Sequence, residues 1–276
     1  QHADPTLDAD LAAWHDPATT RPRVALLGPV SATVAGTPPD GRLAYYCEVL
    51  AYLLLRPNGA TAEEVADAFD LSIKRTHTVI GVLRSWVGEQ HLPSARHSPA
   101  ARARGGAVYQ IVDGLTDLDL FRRLRLRAQA RGNDGIPDLR AALALVTGPA
   151  FSQLRPGGWR WVLEGDRLDE HATVAVVDAA HIVVLDALSR QDTHTARQAA
   201  ETARSAAPFE DVPSLDLAAI TRAEGDLAAA QLLVDTLCAA AEDGIPDDLP
   251  PRTNTILDAN PTWLTGEDLA SRTQAG

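Results

Sequence analysis

The stretch that decides the fold lies at residues 61–88 and reads TAEEVADAFDLSIKRTHTVIGVLRSWVG. It opens with Thr61 and Glu64, three positions apart. This is the spacing of a capping box, in which two side chains satisfy each other's backbone N–H groups at a helix start. The pair predicts a short helix from Ala62 to Phe69.

A second helix follows after a brief turn. Ser72 is a favourable N-cap for it, and Gly88 can end it after about Val87. Projected at about 100° per residue, one face is mostly apolar and predicts core contact: Thr76, Val79, Ile80, Leu83 and Val87. The opposite face is small and polar with bases at its margins: Lys74, Thr78, Gly81 and Ser85, flanked by Arg75, His77 and Arg84. Together the two helices predict a helix-turn-helix.

The flanking segments extend this motif. Arg23 to Gly36 predicts two short strands turned at Gly28-Pro29, and Arg42 to Leu55 has the apolar spacing of an amphipathic helix. After the motif, Leu92 to Arg104 is predicted to be a connector, and Gly105 to Val112 a closing strand that a Gly-Gly hairpin introduces. Strand, helix, helix, helix and wing are the order of a winged helix-turn-helix.

Charge is distributed unevenly along the chain. The 276 residues carry a formal net charge of −12, yet Leu71 to Val112 holds six basic residues against Glu89 alone, a net of +5. A basic module joined to an acidic one indicates two roles, of which one is contact with a polyanion.

The basic residues of this stretch are the candidate DNA contacts. Lys74, Arg75, Thr78 and Arg84 would meet the groove and the phosphates, because small neighbours let the helix approach a duplex closely. Arg102 and Arg104, with Arg96 and His97, would form a wing that enters the minor groove. The alternative is a solvated helix face followed by a flexible connector, and the sequence leaves both interpretations open.

The second half of the chain is predicted to be all helical, with helices at about 118–131, 137–147, 160–190, 193–207, 212–224 and 226–242. The pattern of Asp192-Thr-His-Thr-Ala196 recurs 34 positions later at Asp226…Ala230. This is the period of tetratricopeptide (TPR) helix pairs. The fold class is therefore mainly α, with an N-terminal winged helix-turn-helix that has small β-strands and then an all-α TPR-like bundle.

This interpretation divides the chain into four parts. Residues 1–20 form a linker or a short fraying helix, 21–114 the winged-helix domain, 115–258 the TPR-like domain and 259–276 a tail. The chain contains no methionine, so we expect it to be a piece of a longer gene product or a processed chain.

Other classes of function lack their motifs. The sequence has no G-x-S-x-G, no P-loop, no G-x-G-x-x-G and no C-x-x-C, so we expect no enzyme and no cofactor. Asp166, Asp169, Glu170 and His171 could suggest a metal site, but a solvated helix face is favoured because no second cluster completes a coordination sphere. We expect Trp159 and Trp161 to anchor the packing of the helix that follows them.

Sequence signals for targeting are also lacking. We find no signal peptide and no uninterrupted apolar stretch of about 18 residues, which predicts that no segment spans a membrane. Cys47 and Cys238 lie far apart, and buried thiols in a reducing cytoplasm are predicted rather than a disulfide.

The ordered series from Leu27 to about Leu257 resembles the antibiotic-regulatory-protein (SARP) type of bacterial regulator. In that family an OmpR-like winged helix precedes a TPR-like bacterial transcriptional activator domain (BTAD). The stretches that carry the resemblance are Leu27-Gly-Pro-Val, Leu50-Ala-Tyr-Leu-Leu-Leu-Arg-Pro, Ala62-Glu-Glu-Val-Ala-Asp-Ala-Phe, Val82-Leu-Arg-Ser-Trp-Val-Gly, Gly105-Gly-Ala-Val-Tyr, Asp117-Leu-Asp-Leu-Phe and Ala142-Leu-Ala-Leu-Val-Thr-Gly-Pro-Ala-Phe. The resemblance implies double-stranded DNA as one partner, and a protein partner or a second protomer bound through the TPR-like domain.

The sequence departs from this family at one turn. Asp70-Leu-Ser-Ile is shorter than the usual connection, and Leu83-Arg-Ser-Trp is similar to a variant at the C-terminus of large membrane-associated actinobacterial proteins. This second resemblance implies the alternative function, an interaction or sensory module that does not bind DNA. The chain would then be the cytoplasmic, soluble domain of a membrane-anchored protein.

Overall fold

The computed structural model describes residues 4–240 together with Thr253, Thr255 and Ile256. Its helices in this part of the chain are α1 (Leu7–His15), α2 (Leu43–Leu54), α3 (Ala62–Ala68), α4 (Ile73–Val87), α5 (Pro99–Arg104), α6 (Asp117–Arg131), α7 (Ile136–Leu143), α8 (Arg160–Leu163), α9 (Leu168–Ser189), α10 (Thr193–Ala206), α11 (Val212–Ala223) and α12 (Leu227–Ala240). A 3-10 helix at Gly132–Gly135 connects α6 to α7. The predicted fold class is confirmed.

A small sheet lies in the N-terminal half. Strands β1 (Arg23–Ala25), β2 (Ser31–Thr33) and β3 (Leu115–Thr116) are arranged in the order β2-β1-β3. The β1–β2 pair is antiparallel, as the predicted turn at Gly28-Pro29 requires, whereas β3 runs parallel to β1. The sheet therefore includes two residues beyond position 114, where we predicted the first domain to end.

The helix-turn-helix forms as predicted. Thr61 and Glu64 make both hydrogen bonds of the capping box at the start of α3. The Ser72 hydroxyl accepts a hydrogen bond from the Arg75 backbone N–H at the start of α4, and Gly88 ends that helix with φ +88°.

The predicted wing is wrong in its details. Residues 99–104 form helix α5, because Ser98 caps it and Pro99 occupies its first position, and Gly105 ends it in a left-handed conformation. Residues 107–112 form no strand and make only an isolated antiparallel bridge between Ala60 and Tyr109. The Ala and Arg residues of this segment also favour a helix.

The C-terminal half follows the predicted helices with one exception. The long helix predicted at 160–190 is divided into α8 and α9, and Arg167 lies in the left-handed region at the break (φ 44°). The two copies of the 34-residue repeat each begin with an aspartate that caps a helix. Asp192 Oδ1 accepts from the Thr195 N–H at the start of α10, and Asp226 Oδ1 accepts from the Ala229 N–H at the start of α12. Positions 241–242, the predicted domain end at 258 and the tail at 259–276 lie outside the described residues.

A helix lies in the N-terminal segment, residues 1–20, which we predict to be a linker or a short fraying helix. This helix is α1, and carboxylates within it and just before it pair with arginines of the rest of the protein. Arg123 of α6 lies 2.6 Å from Asp4 and 2.8 Å from Asp10, and Arg21 lies 2.8 Å from Asp10. These ion pairs fix α1 against α6.

Helix α9 is long and apolar enough, by length and composition alone, to cross a membrane. Its most apolar window has a mean hydropathy of 1.7, and 44% of that window is buried within the protein. The helix packs against α7, α10 and α11, which is the position of a core helix. Cys47 and Cys238 are both buried, as predicted, and neither forms a disulfide.

One hydrophobic core crosses the predicted domain boundary, because a single cluster of buried side chains extends from Leu7 to Ile220. Trp161 belongs to this core, and its ring packs edge-on against Tyr52 at 5.9 Å and Phe151 at 6.0 Å. Trp159 is 37% exposed and does not belong to it.

Asp117 joins the two halves by hydrogen bonds. Its carboxylate, 1% exposed, accepts from the backbone N–H groups of Leu26 (2.7 Å) and Leu27 (3.0 Å), directly after β1. Burial raises the pKa of Asp117 to about 6, although these backbone donors act in the opposite direction. The backbone carbonyls of the same two residues also accept hydrogen bonds. The Leu26 carbonyl accepts from the Phe151 N–H and the Leu27 carbonyl from the Thr147 N–H, both at 2.7 Å.

We expect Asp117→Ala to lower the free energy of unfolding by about 3 kcal/mol, because it leaves two buried N–H donors without an acceptor. The control is Asp119→Ala, which removes a carboxylate from the same helical turn. Because the Asp119 side chain is 60% exposed, this change should lower the free energy of unfolding by less than about 1 kcal/mol. Urea denaturation followed by tryptophan fluorescence measures both. Equal losses in the two variants would contradict the bridging role of Asp117.

Candidate nucleic-acid interface

Helix α4 is held by its apolar face. Val79, Ile80 and Leu83 are each at most 4% exposed, and Thr76 is fully buried with its hydroxyl donating to the Ser72 carbonyl. Burial of this face directs the opposite face outward. The predicted division of α4 into a core side and a solvent side is confirmed.

The outward face combines small and cationic residues. Lys74, Arg75, Thr78, Gly81 and Ser85 are all exposed. The Thr78 and Ser85 hydroxyls donate to carbonyls of their own helix, so both side chains stay close to its surface. A Cβ atom at Gly81 would meet no heavy atom within 4 Å, so the surface beside it is open. Lys74 is the only lysine in the whole sequence.

Arg84 is placed differently from the other predicted contacts. Its guanidinium donates to two main-chain carbonyls, from Nε to Leu92 O at 2.8 Å and from Nη2 to Pro93 O at 3.2 Å. These bonds fix the chain that leaves α4. Arg84 thereby stabilises the turn after the helix, and its charged group is already occupied.

Arg104 is likewise engaged within the protein. Its guanidinium lies 2.8 Å from Glu64 Oε1 and also donates to the Gly59 carbonyl at 3.0 Å. This pair ties the end of α5 to the start of α3. Arg102, in the same last turn of α5, has an exposed side chain.

The segment after α5 is pinned beside α4. Tyr109 and Ala60 exchange two backbone hydrogen bonds of 2.7 and 2.8 Å, and the Tyr109 hydroxyl lies 2.7 Å from His77 Nδ1. The chain thus occupies the position of a wing without forming a hairpin. Among the predicted site residues, the structure brings Lys74, Arg75 and Thr78 onto one exposed face.

Two further arginines approach this face. Arg42, at the start of α2, and Arg155, in the segment between α7 and α8, line a groove of about 590 Å³ together with Arg75 and Thr78. We call it the α2–α4 groove. The sequence carries no local signal for it, because its arginines belong to three separate segments of the chain.

The acidic group considered as a metal site has another role. Arg167 forms ion pairs with Asp169 and with Glu170 at the start of α9. Within the described part of the chain, no group of three or more His, Cys, Asp or Glu side chains is placed to hold a metal ion.

Comparison with known proteins supports the fold. No protein-family model matches the chain, and no curated protein matches its sequence. The structure is similar to that of Mycobacterium tuberculosis EmbR, solved in complex with a low-affinity phosphopeptide. The match has a TM-score of 0.56 and 19% identity, and it covers 93% of this chain and 69% of the EmbR chain. The similarity shows a shared fold, in which a winged helix is followed by a helical domain.

The contacts of Arg84 lead to a stability prediction. Arg84→Ala removes the donor to two carbonyls and should lower the free energy of unfolding by about 1–3 kcal/mol. Lys74→Ala, on the exposed face of the same helix, should change it by less than about 0.5 kcal/mol. Chemical denaturation of both variants measures these two changes in the free energy of unfolding. An Arg84→Ala protein as stable as the Lys74→Ala protein would show that Arg84 is free for an external ligand.

Proposed function

We propose that this chain is a DNA-binding transcription regulator of the SARP/BTAD type, with α4 as its recognition helix. The observation that carries the proposal is the outward face of α4, where Lys74 and Arg75 lie beside Thr78, Gly81 and Ser85. No acidic residue occurs in α4. A narrow, cationic helix face is what a helix needs to enter the major groove and meet phosphates on either side.

The predicted contact residues take distinct roles in this proposal. Lys74 and Arg75 bind phosphates, and Thr78 lies nearest the base edges. Arg84 and Arg104 position the helix-turn-helix through contacts within the protein. Arg84 donates to the Leu92 carbonyl, and Arg104 pairs with the Glu64 carboxylate. Arg102 adds a phosphate contact from the end of α5.

The net charge of −12 does not oppose this function. At physiological ionic strength, charges farther apart than about 8 Å are largely screened. The acidic surplus lies mainly in the C-terminal half of the sequence. Local charge on α4 therefore governs the approach to a duplex, while the acidic half discourages binding in other orientations.

The TPR-like half supplies the protein contacts in this proposal, either with a second protomer or with another protein. Its exposed apolar residues support this role: Val174, Ile182 and Leu185 on α9 are each 48–55% exposed, and Phe209 between α10 and α11 is 98% exposed. The same residues favour the second candidate function, an interaction module of a larger, membrane-anchored protein that does not bind DNA. In both cases the chain acts in the cytoplasm and catalyses no reaction.

A DNA-binding experiment separates the two functions. Duplexes selected from a random pool should bind with an affinity that falls as salt rises, with a log–log slope of about −0.9 per phosphate contact. Lys74→Ala/Arg75→Ala should weaken binding and reduce the steepness by about two such contacts. Fluorescence anisotropy at several salt concentrations provides the measurement.

The matched control is Arg122→Ala/Arg222→Ala, which removes two positive charges at exposed positions of α6 and α11. It should leave both affinity and slope unchanged. If no duplex is selected, or if both double variants weaken binding equally, the recognition role of α4 is wrong and the interaction module is favoured.

A further inference from the structure

The α2–α4 groove has an aromatic floor. The Tyr45 ring packs edge-on against Tyr46, with centroids 5.5 Å apart, and against Phe69 at 5.8 Å. All three side chains line the groove, whose volume is about 590 Å³. Pockets that bind small organic molecules usually have volumes of about 300–1,000 Å³ and are lined mostly by apolar and aromatic side chains. The volume and the aromatic lining of this groove are typical of such pockets.

The charged residues that line the groove are all cationic. Arg42, Arg75 and Arg155 line it, and no aspartate or glutamate does. The charge of Arg155 is neutralised within the protein, because its Nε lies 2.9 Å from the buried Glu48 carboxylate. Arg42 and Arg75 take part in none of the ion pairs formed within the described part of the chain. Two guanidinium groups are thus available to an anion.

Tyr45, which lines the groove, also carries an unsatisfied hydroxyl group. It is shielded from solvent and has no hydrogen-bond partner among the described residues. Burial raises the pKa of Tyr45, while the positive charges of Arg155, Arg75 and Arg42 act in the opposite direction. The same three arginines line the groove beside Tyr45. The neutral hydroxyl remains a donor at physiological pH.

We infer that the α2–α4 groove is a binding site for a small organic anion with an aromatic or aliphatic body. Its carboxylate, sulfonate or phosphate group lies between Arg42 and Arg75, where guanidinium groups favour planar and bidentate oxygen ligands. Its apolar body covers Tyr45, Tyr46 and Phe69. Charge complementarity selects this ligand class, because a cation or a neutral polar molecule would leave the two arginines without a counter-charge.

Such a ligand would also regulate the proposed DNA contact. Arg75 and Thr78 belong both to the groove and to the outward face of α4. A bound anion would neutralise Arg75, so ligand and duplex would weaken each other's binding reciprocally. This coupling rests on the proposed DNA-binding function, whereas the site itself does not.

The site is tested without DNA, by titrating the protein with 8-anilinonaphthalene-1-sulfonate, an anionic aromatic probe, and with its neutral analogue N-phenyl-1-naphthylamine. Arg42→Ala/Arg75→Ala should weaken the sulfonate probe at least about tenfold, because it removes two charge-assisted contacts. The same variant should change the neutral probe less than about twofold. Arg122→Ala/Arg222→Ala, which lies outside the groove, should affect neither.

A second variant keeps the test independent of charge. Ala44 lines the groove at an exposed position, so Ala44→Trp should fill the groove without disturbing the core. It should weaken both probes, and circular dichroism verifies that each variant is folded. The inference is overturned if the sulfonate probe binds equally well to the native chain and to both groove variants, or if it shows no saturable binding.

Discussion

The buried Asp117 carboxylate holds the end of β1 against the start of α6, and the arrangement of the two halves depends on that contact. The N–H groups of Leu26 and Leu27 have this one side chain as their acceptor, and their carbonyls accept from Thr147 and Phe151. The helix-turn-helix and the TPR-like helices therefore share a core. This shared core holds α4 at a fixed orientation to the second half.

Within that frame, the cationic residues divide into two groups by their surroundings. Arg84 and Arg104 bind carbonyl oxygens and a carboxylate of the protein itself, and they shape the motif. Lys74 and Arg75 remain on the open face, and Arg75 is shared with the α2–α4 groove. Arg96 and Arg102 are exposed as well, but the charge available to a ligand is still smaller than the net of +5 in the sequence suggests, because Arg84 and Arg104 are engaged within the protein.

The sequence predicts the local structure well because caps and periodicity are local. Thr61 with Glu64, Ser72, and the repeated caps Asp192 and Asp226 each specify a helix start through neighbours a few residues away. It does not predict which arginines are free. The acceptors of Arg104 lie 40 or more positions away in sequence, and the groove unites three segments that only the tertiary fold brings together. The connector predicted for residues 92–104 is wrong at 99–104, where a local signal, the Ser98-Pro99 start, specifies helix α5.

The most direct measurement uses the single lysine of the chain. Lys74 lies on the outward face of α4, so the rate at which an amine-specific acylating reagent modifies this side chain reports on that face alone. Mass spectrometry would follow the peptide that contains Lys74 with and without a saturating DNA duplex. If α4 is the recognition helix, the duplex slows acylation several-fold, because the ammonium group then lies against a phosphate. An unchanged rate while the duplex is demonstrably bound would contradict α4 as the recognition helix.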